Sequence, residues 1–414
     1  MLLCYFLLSL IGNPILKYMS IITEKSQRLR ANIIKQLYYK SALSLTELSK
    51  LTQKSLPLVT SSVNALIGEG YVVEQGLAPS TGGRRALMYL LNPGHQKFIV
   101  AVAMDQLITR LTIYDLARKV VFPIQYLDFN IVADPDNVGL LCNFINDCID
   151  ASKLDRKDIV GVGIGMPGFV NAKKGINSSF LNVDEGTTLK DYLSKMINLP
   201  AFIDNDSSLI ALAELNFGEA ANLRDVMVVN IGWGTGLGMI INGQLYRGSS
   251  GFAGEFSHIP LSDSNNLCSC GKRGCLEVDT SLLVMAERAQ KAVSEGAESS
   301  MAELFKNIDR HPGDHFLEAV KAQDPLAVNI LSKSAFQLGK GLSTLIHILN
   351  PERIVLSGRG AKAGKMLLPP IQQAINEFCI PRIAEQTEIR LSSLTDEAEL
   401  LAAASLVIEN GNFD

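Results

Sequence analysis

The stretch HIPLSDSNNLCSCGKRGCLE, residues 258–277, places three of the chain's seven cysteines within eight residues. Thiolates crowded this closely repel one another unless a cation sits among them. Cys268, Cys270 and Cys275 supply three soft ligands. His258, ten residues upstream, completes a Cys3His set suited to tetrahedral Zn2+. Four protein ligands leave no open coordination position, so the ion is expected to be structural rather than catalytic. The constraint on folding is direct: His258 has to close over the loop, and its neighbours Glu255 and Glu277 are held in place with it. Gly271 and Gly274 let the loop turn tightly, and Lys272 and Arg273 offset thiolate charge. Cys4, Cys142, Cys148 and Cys379 are scattered with no disulfide spacing, which fits a reducing, cytoplasmic compartment.

At 414 residues the chain is too long for one ordinary core, and two or three domains are expected. A hydrophobic share of 47% with 19% charged residues excludes a disordered protein. The net charge of −4 is unevenly spread. Residues 19–93 carry nine Lys/Arg against four Asp/Glu, a net of +5; with Lys17 set apart, residues 94–414 carry −10. A basic module on an acidic body suggests a head that binds a polyanion. Residues 1–18 hold an apolar run of about a dozen residues, without a basic leader and short of a bilayer span, interrupted by Pro14. They read as a mis-assigned start or a disordered extension, with Met19 as the start. No membrane association or export is expected.

Residues 19–93 follow the grammar of a winged helix-turn-helix. Leu29, Ile33, Ile34 and Leu37 recur at helical spacing. Ser44 with Glu47 reads as a capping box opening a second helix, whose inner face takes Leu48 and Leu51. Pro57 suits the first turn of a third helix, with Val59, Val63 and Leu66 on one face and Gly68 or Gly70 at its end. Its other face offers Thr60, Ser61 and Asn64, short hydrogen-bonding side chains able to reach phosphates and base edges. YVVEQG and ALMYLLNP flank LAPSTGGRR as a hairpin with a glycine-rich tip. Arg84 and Arg85 sit where a wing meets the DNA backbone or minor groove.

From Phe98 the pattern changes to α/β. KFIVAVAM, DIVGVGIGMPG, DVMVVNIGWGTGLGMIING and RIVLSG are buried-strand candidates, and several run straight into glycine turns between longer helical stretches. Glycine after a strand lets a phosphate or sugar approach the backbone. Four such signals spread along the body suggest a cleft between two α/β lobes. Residues 94–414 are read as this body, with a short boundary near Asn92-Pro93-Gly94.

These motifs together resemble the ROK family (repressors, open reading frames, kinases). CSCGKRGCLE matches that family's C-x-C-G-x-x-G-C-x-E zinc motif without a gap, and GFAGEFSHIPL resembles its G-E-x-G-H element. GMPGFV, LPAFIDNDSSLIALAELNFGEA and NIGWGTGLGMIINGQLYRGSSG match further signatures in the family's order, over roughly residues 98–408. The winged head with STGGRR is similar to the repressor branch, which includes xylose and N-acetylglucosamine repressors. The resemblance implies a two-lobed body of the actin-like ATPase and hexokinase type (ribonuclease H-like), with a sugar bound between the lobes. It assigns sugar contacts to Asn205, Asp206, Glu255, His258 and Glu277, and more loosely to Asn182, with Gly165, Pro167 and Gly168 on a neighbouring loop. In kinase members the residue matching Asp206 is the general base. Read without the family, Asp204, Asp206 and Glu214 belong to a turn and a helix start, and the carboxylate at Asp206 could simply cap that helix.

Kinases of this family open the body with a D-x-G-G-T phosphate loop. Here Ala103 stands at the Asp, Asp105 and Gln106 at the two glycines, and Leu107 at the Thr. A carboxylate at Asp105 would repel a phosphate, and phosphoryl transfer depends on positioning and charge neutralisation. The second phosphate loop (Gly234, Thr235, Gly236, Gly238) and the turn at Gly358 and Gly360 are intact, and would hold ATP with Mg2+ if kinase activity remained. The expected function is therefore a sugar-responsive, DNA-binding repressor, a homodimer or homotetramer on an operator, with a sugar or sugar phosphate as effector. The alternative is an active ATP-dependent hexose or N-acetylhexosamine kinase carrying a DNA-binding head.

Overall fold

The computed structural model describes residues 14–77, 85–128, 130–132, 134, 136–308, 310–394 and 398–413, with side chains from residue 25 onward. The N-terminal part consists of helices α1 (Pro14–Lys40), α2 (Leu45–Thr52) and α3 (Leu56–Gly68) and three strands. The strands are β1 (Ala42–Ser44), β2 (Val72–Leu77) and β3 (Leu87–Leu91), antiparallel in the order β1-β3-β2. The capping box forms: the Glu47 amide donates to Ser44 Oγ (3.3 Å), and the Ser44 amide donates to Glu47 Oε2 (2.8 Å). Leu29, Ile33, Ile34, Leu37, Leu48, Val59, Val63 and Leu66 share one core, as their spacing predicts. Leu51 departs from expectation: α2 ends one residue later, at Thr52, and Leu51 is exposed instead of facing inward. The short strand β1, which ties α1 to the wing, had no separate signal in the sequence.

The body contains two five-stranded sheets of the same topology. In the first, β4 (Phe98–Met104), β5 (Ile108–Asp115) and β6 (Val120–Asp128) form an antiparallel meander. Strands β7 (Ile159–Met166) and β10 (Ala201–Asn205) then add in parallel to β4, giving the order β10-β7-β4-β5-β6. A small hairpin of β8 (Val170–Asn171) and β9 (Ile176–Asn177) follows β7. In the second sheet, β11 (Val226–Ile231), β12 (Thr235–Ile241) and β13 (Gln244–Tyr246) make the meander. Strands β14 (Arg353–Ser357) and β15 (Glu388–Leu391) add in parallel, giving β13-β12-β11-β14-β15. The duplication is one of topology; no sequence period announces it.

Alternation along β4 sets the layers of the first lobe. Val100, Val102 and Met104 pack with helices α4 (Asn137–Ser152) and α5 (Leu189–Ile197). Ile99, Ala101 and Ala103 face the opposite way. A helix with no polar face, α6 (Asp206–Phe217), lies between the lobes, and every residue from Ser207 to Glu214 is buried. The second sheet is covered by α7 (Leu282–Ser294), α8 (Pro312–Lys321), α9 (Pro325–Leu349) and α10 (Leu368–Phe378) around one large cluster. The last helix, α11 (Ala398–Asn410), packs Leu400, Ala403, Ala404 and Val407 against Ile99, Ala101 and the core of the head at once. Among the described residues no helix is long and apolar enough to cross a membrane.

Head and body are therefore not beads on a string. Tyr39 donates a hydrogen bond to Glu409 of α11 (2.9 Å), and Lys35 pairs with the same carboxylate (2.5 Å). The rings of Tyr38 and Tyr39 lie 6.2 and 5.6 Å from Phe217, with the Arg118 guanidinium 4.9 Å from the Phe217 ring centre. Gly163 makes the close approach of α11 possible, because a Cβ there would lie 1.9 Å from the Ala403 carbonyl oxygen. Gly163→Ala is expected to force α11 off the sheet and cost about 1–3 kcal/mol, by analogy with overpacked cores. The midpoint of urea unfolding of the full chain measures it, with Gly68→Ala, at an open helix end without a positive φ, as the milder comparison.

Candidate functional site

A cleft of about 780 Å³ runs between the two lobes. It opens beyond the carboxyl ends of the parallel strands β4, β7 and β10 on one side and β11 on the other, where open α/β sheets place their ligands. Strand β10 ends at Asn205, and α6 starts at the next residue. Asn205 caps that helix, accepting from the Ser208 amide (3.1 Å) and donating to the Gly168 carbonyl (3.2 Å). The capping role considered for Asp206 thus falls to its neighbour. Asp206 lines the cleft, accepting from the Ser207 amide (2.7 Å) and standing 3.4 Å from the Asn230 amide nitrogen. Asp204 is buried and paired with Arg247. Glu214 is fully buried in α6 and accepts from the Ser357 hydroxyl (3.4 Å) and the Glu219 amide (2.9 Å), so it ties α6 to the second sheet.

Glu255, His258 and Glu277 line the same cleft as Asn205 and Asp206. Three carboxylates converge there, and their ionisation reflects it. Burial, reinforced by Asp206 and Glu277, lifts Glu255 to about 7. Burial lifts Asp206 to about 6 against the opposing hydrogen bonds from Ser207. Glu277 is also raised, chiefly by burial. Such a wall accepts hydrogen bonds from the hydroxyls of a ligand and disfavours an anionic group placed directly against it. Pro167 and Gly168 border the cleft. Gly165 lies inside β7 against Leu209, and Asn182 is exposed and is not part of the cleft wall.

His258, Cys268, Cys270 and Cys275 come together, their ligand atoms all within 4.8 Å of one another. Cys268 Sγ lies 3.6 Å from His258 Nδ1, and Cys270 Sγ lies 3.6 Å from Cys275 Sγ. Around a tetrahedral zinc ion those edges are about 3.5 and 3.8 Å, from metal–ligand lengths of about 2.0 and 2.3 Å. The donor set therefore fits a metal. Burial lowers the basicity of His258 and favours the neutral ring that a ligand requires. Its other nitrogen, Nε2, is 3.8 Å from Glu255 Oε2. One imidazole thus joins the cysteine cage to the cleft.

The description "ROK family" matches residues 130–410, more than half of the chain. The chain belongs to the ROK family. A xylose repressor from Caldicellulosiruptor bescii is 28% identical over 91% of this chain and 94% of its own length. A glucokinase from Halalkalibacterium halodurans is 32% identical over 67% of this chain and 86% of its own. Among solved structures, a ROK family transcriptional regulator described as a homologue of the E. coli MLC protein superposes with a TM-score of 0.74. It is 23% identical and covers 92% of this chain and 96% of its own. The ROK body, actin-like in its two lobes, is thereby shared with both repressors and kinases, whereas the matches that also span the helical N-terminal part are to the repressor and the regulator.

The two hairpin turns at which this ROK chain could meet phosphates differ sharply. At the β4–β5 turn, Asp105 Oδ1 accepts from the backbone amides of Leu107 (2.8 Å) and Ile108 (2.7 Å). Its Oδ2 stands 3.4 Å from Arg359, which reaches across from the second lobe, pairs with Asp314 (2.9 Å) and lies over the Trp233 ring. The carboxylate does more than repel: it occupies the amides itself. At the β11–β12 turn, Gly234, Thr235 and Gly236 line the cleft, but the Thr235 amide already donates to Glu277 (3.0 Å). Gly238, Gly358 and Gly360 do not line the cleft; a Cβ on each would strike Ala211, Asn230 or Ile231, so packing alone requires them. Arg359 and Asn230 were not singled out in the sequence. Arg359 lies inside the Gly358–Gly360 turn, where only its charge hinted at a role.

On the head, Ser61 and Asn64 are exposed on α3 as expected. Thr60 is half-buried, and its hydroxyl donates back to the Leu56 carbonyl (2.8 Å), so it is less available than its spacing suggested. Arg85 is exposed just before β3. Arg84 and the wing tip lie outside the described residues. For the metal cage, Cys275→Ser is expected to remove bound metal and lower the thermal midpoint of the full chain by several degrees. Metal analysis by mass spectrometry, beside a thermal melt of wild type with and without chelator, checks both.

Proposed function

We propose that this ROK protein is a sugar-responsive transcriptional repressor whose interlobe cleft binds the effector and whose winged head binds operator DNA. The observation that carries this reading is a three-helix head with a small sheet sharing one hydrophobic core with α11 and the first sheet of the body whose cleft carries the carboxylate wall. Asn205, Asp206, Glu255, His258 and Glu277 bind the hydroxyls of a sugar or sugar phosphate. The metal at His258, Cys268, Cys270 and Cys275 is zinc, which neutralises the thiolates and fixes the loop that carries His258. The similarity to a protein named xylose repressor supports carbohydrate as the effector class.

Helix α11 offers the route by which occupancy reaches the head. Glu399, near its start, lines the cleft and pairs with Arg110; Glu409, near its end, meets Lys35 and Tyr39 of the head. A sugar that favours one lobe angle shifts α11 and with it the heads of a homodimer or homotetramer. The operator holds two heads at a fixed spacing, so the coupling is the difference in sugar affinity between the two arrangements. Ser61, Asn64, Arg84 and Arg85 contact the duplex.

The glucokinase relative favours a second reading, an active ATP-dependent sugar kinase with Asp206 as general base and ATP-Mg2+ at Gly234–Gly236. The occupied amides at Leu107 and Ile108 weigh against it. In a gel-shift series with promoter fragments, specific DNA binding is expected, with release by one or a few sugars and not by ATP. Absence of specific binding under every condition defeats the repressor reading. In an ATP-coupled assay across a sugar panel, turnover abolished by Asp206→Asn establishes the kinase instead.

A further inference from the structure

The head carries an exposed apolar feature that its hydrogen-bonding residues do not explain. Three leucines within eight residues are open to solvent: Leu51 at 41%, Leu56 at 46% and Leu58 at 49% exposure. Leu56 and Leu58 flank Pro57 in the first turn of α3. Val59, Val63 and Leu66 on the opposite side fill the core, so nothing in the head's own packing requires leucine at these positions. Leu58 is followed by Ser61 and Ala65 at helical spacing on the outward face, and both are exposed.

The surroundings indicate what covers this face. Lys50, in the last turn of α2, and Lys54, on the turn leading into α3, are exposed and make no ion pair among the described residues; Arg85 is exposed before β3. The acidic residues of α2 and α3's end are engaged elsewhere: Glu47 in the capping box and Glu69 with Arg30 beyond the far end of α3. An apolar helix start with Lys54 two residues before it, on a head whose exposed charges include Lys50 and Arg85, suits a surface that is apolar at its floor and anionic at its rims. The major groove of DNA is such a surface wherever thymines expose their C5-methyl groups between phosphate backbones.

We infer that Leu56 and Leu58 are specificity-determining residues that pack on thymine C5-methyl groups, so the operator carries thymines opposite the start of α3 in each half-site. This rests on the DNA-binding reading above and deepens it. Ser61 and Asn64 contribute hydrogen bonds, while the two leucines favour T·A over C·G by contact rather than by donor and acceptor pattern.

The test uses the full chain. A duplex is selected from a random library, and each thymine is then replaced in turn by deoxyuridine, which removes only the methyl group. Binding is followed by fluorescence anisotropy at fixed salt. The expected result is a loss of roughly threefold at one or two thymines per half-site, the scale of one buried methyl group. Leu56→Ala and Leu58→Ala, at exposed positions that leave the core intact, should bind thymine and deoxyuridine duplexes equally. Selected duplexes bound without any deoxyuridine effect, or a deoxyuridine effect that persists in both variants, overturn this inference while leaving DNA binding intact. A changed oligomeric state in the variants with unchanged base discrimination also overturns it and makes the face a contact between copies of the chain. Failure to select any duplex defeats the repressor reading itself.

Discussion

The structure depends on the burial of α11. One helix fills the far face of the first sheet, touches α6 between the lobes through Ala402 and Leu406, and completes the core of the head. It approaches the sheet closely only because Gly163 presents no side chain to it. Apolar surface removed from water is the largest favourable contribution to folding, and here one segment supplies it to three bodies at once. Polar contacts then fix the orientation: Arg110 with Glu399 near one end, Lys35 and Tyr39 with Glu409 near the other.

The cleft has a corresponding logic. Both lobes present a tight hairpin turn, β4–β5 and β11–β12, at equivalent points of the same topology. One turn keeps glycines and the other has replaced them with a carboxylate that satisfies its own amides. Arg359 is drawn into the space between, with Asp105 and Asp314 as partners and Trp233 beneath it. A cation and two carboxylates of the chain thus stand in the region where a kinase would assemble its phosphates. The hydroxyl-accepting wall of Asp206, Glu255 and Glu277 lies in the same cleft and is intact.

Much of this was legible in the sequence because it rests on local patterns. Cysteine spacing, the Ser44–Glu47 box, the spacing of Val59, Val63 and Leu66 and the glycine turns after strands each reflect a short-range physical requirement. What escaped depends on long-range geometry. Leu51 looked inward because helical spacing does not reveal that α2 stops at Thr52. Thr60 looked free because a hydroxyl's return to its own helix carbonyl leaves no trace in composition. Asn182 matched a motif loosely, and the chain carries it to the surface. Arg359 meets Asp105 from a point 254 residues away, and the duplicated sheet order exists only in hydrogen-bond pairing.

The shared ring of His258 has one last consequence. One of its nitrogens faces the thiolates and the other faces Glu255, so an ion held by the cage and a ligand held in the cleft would meet the same rigid five-membered ring. Two ligands joined through one body cannot influence each other in a single direction. By whatever factor an occupied cleft raises the affinity for the ion, the ion must raise the cleft's affinity for its ligand by the same factor at equilibrium.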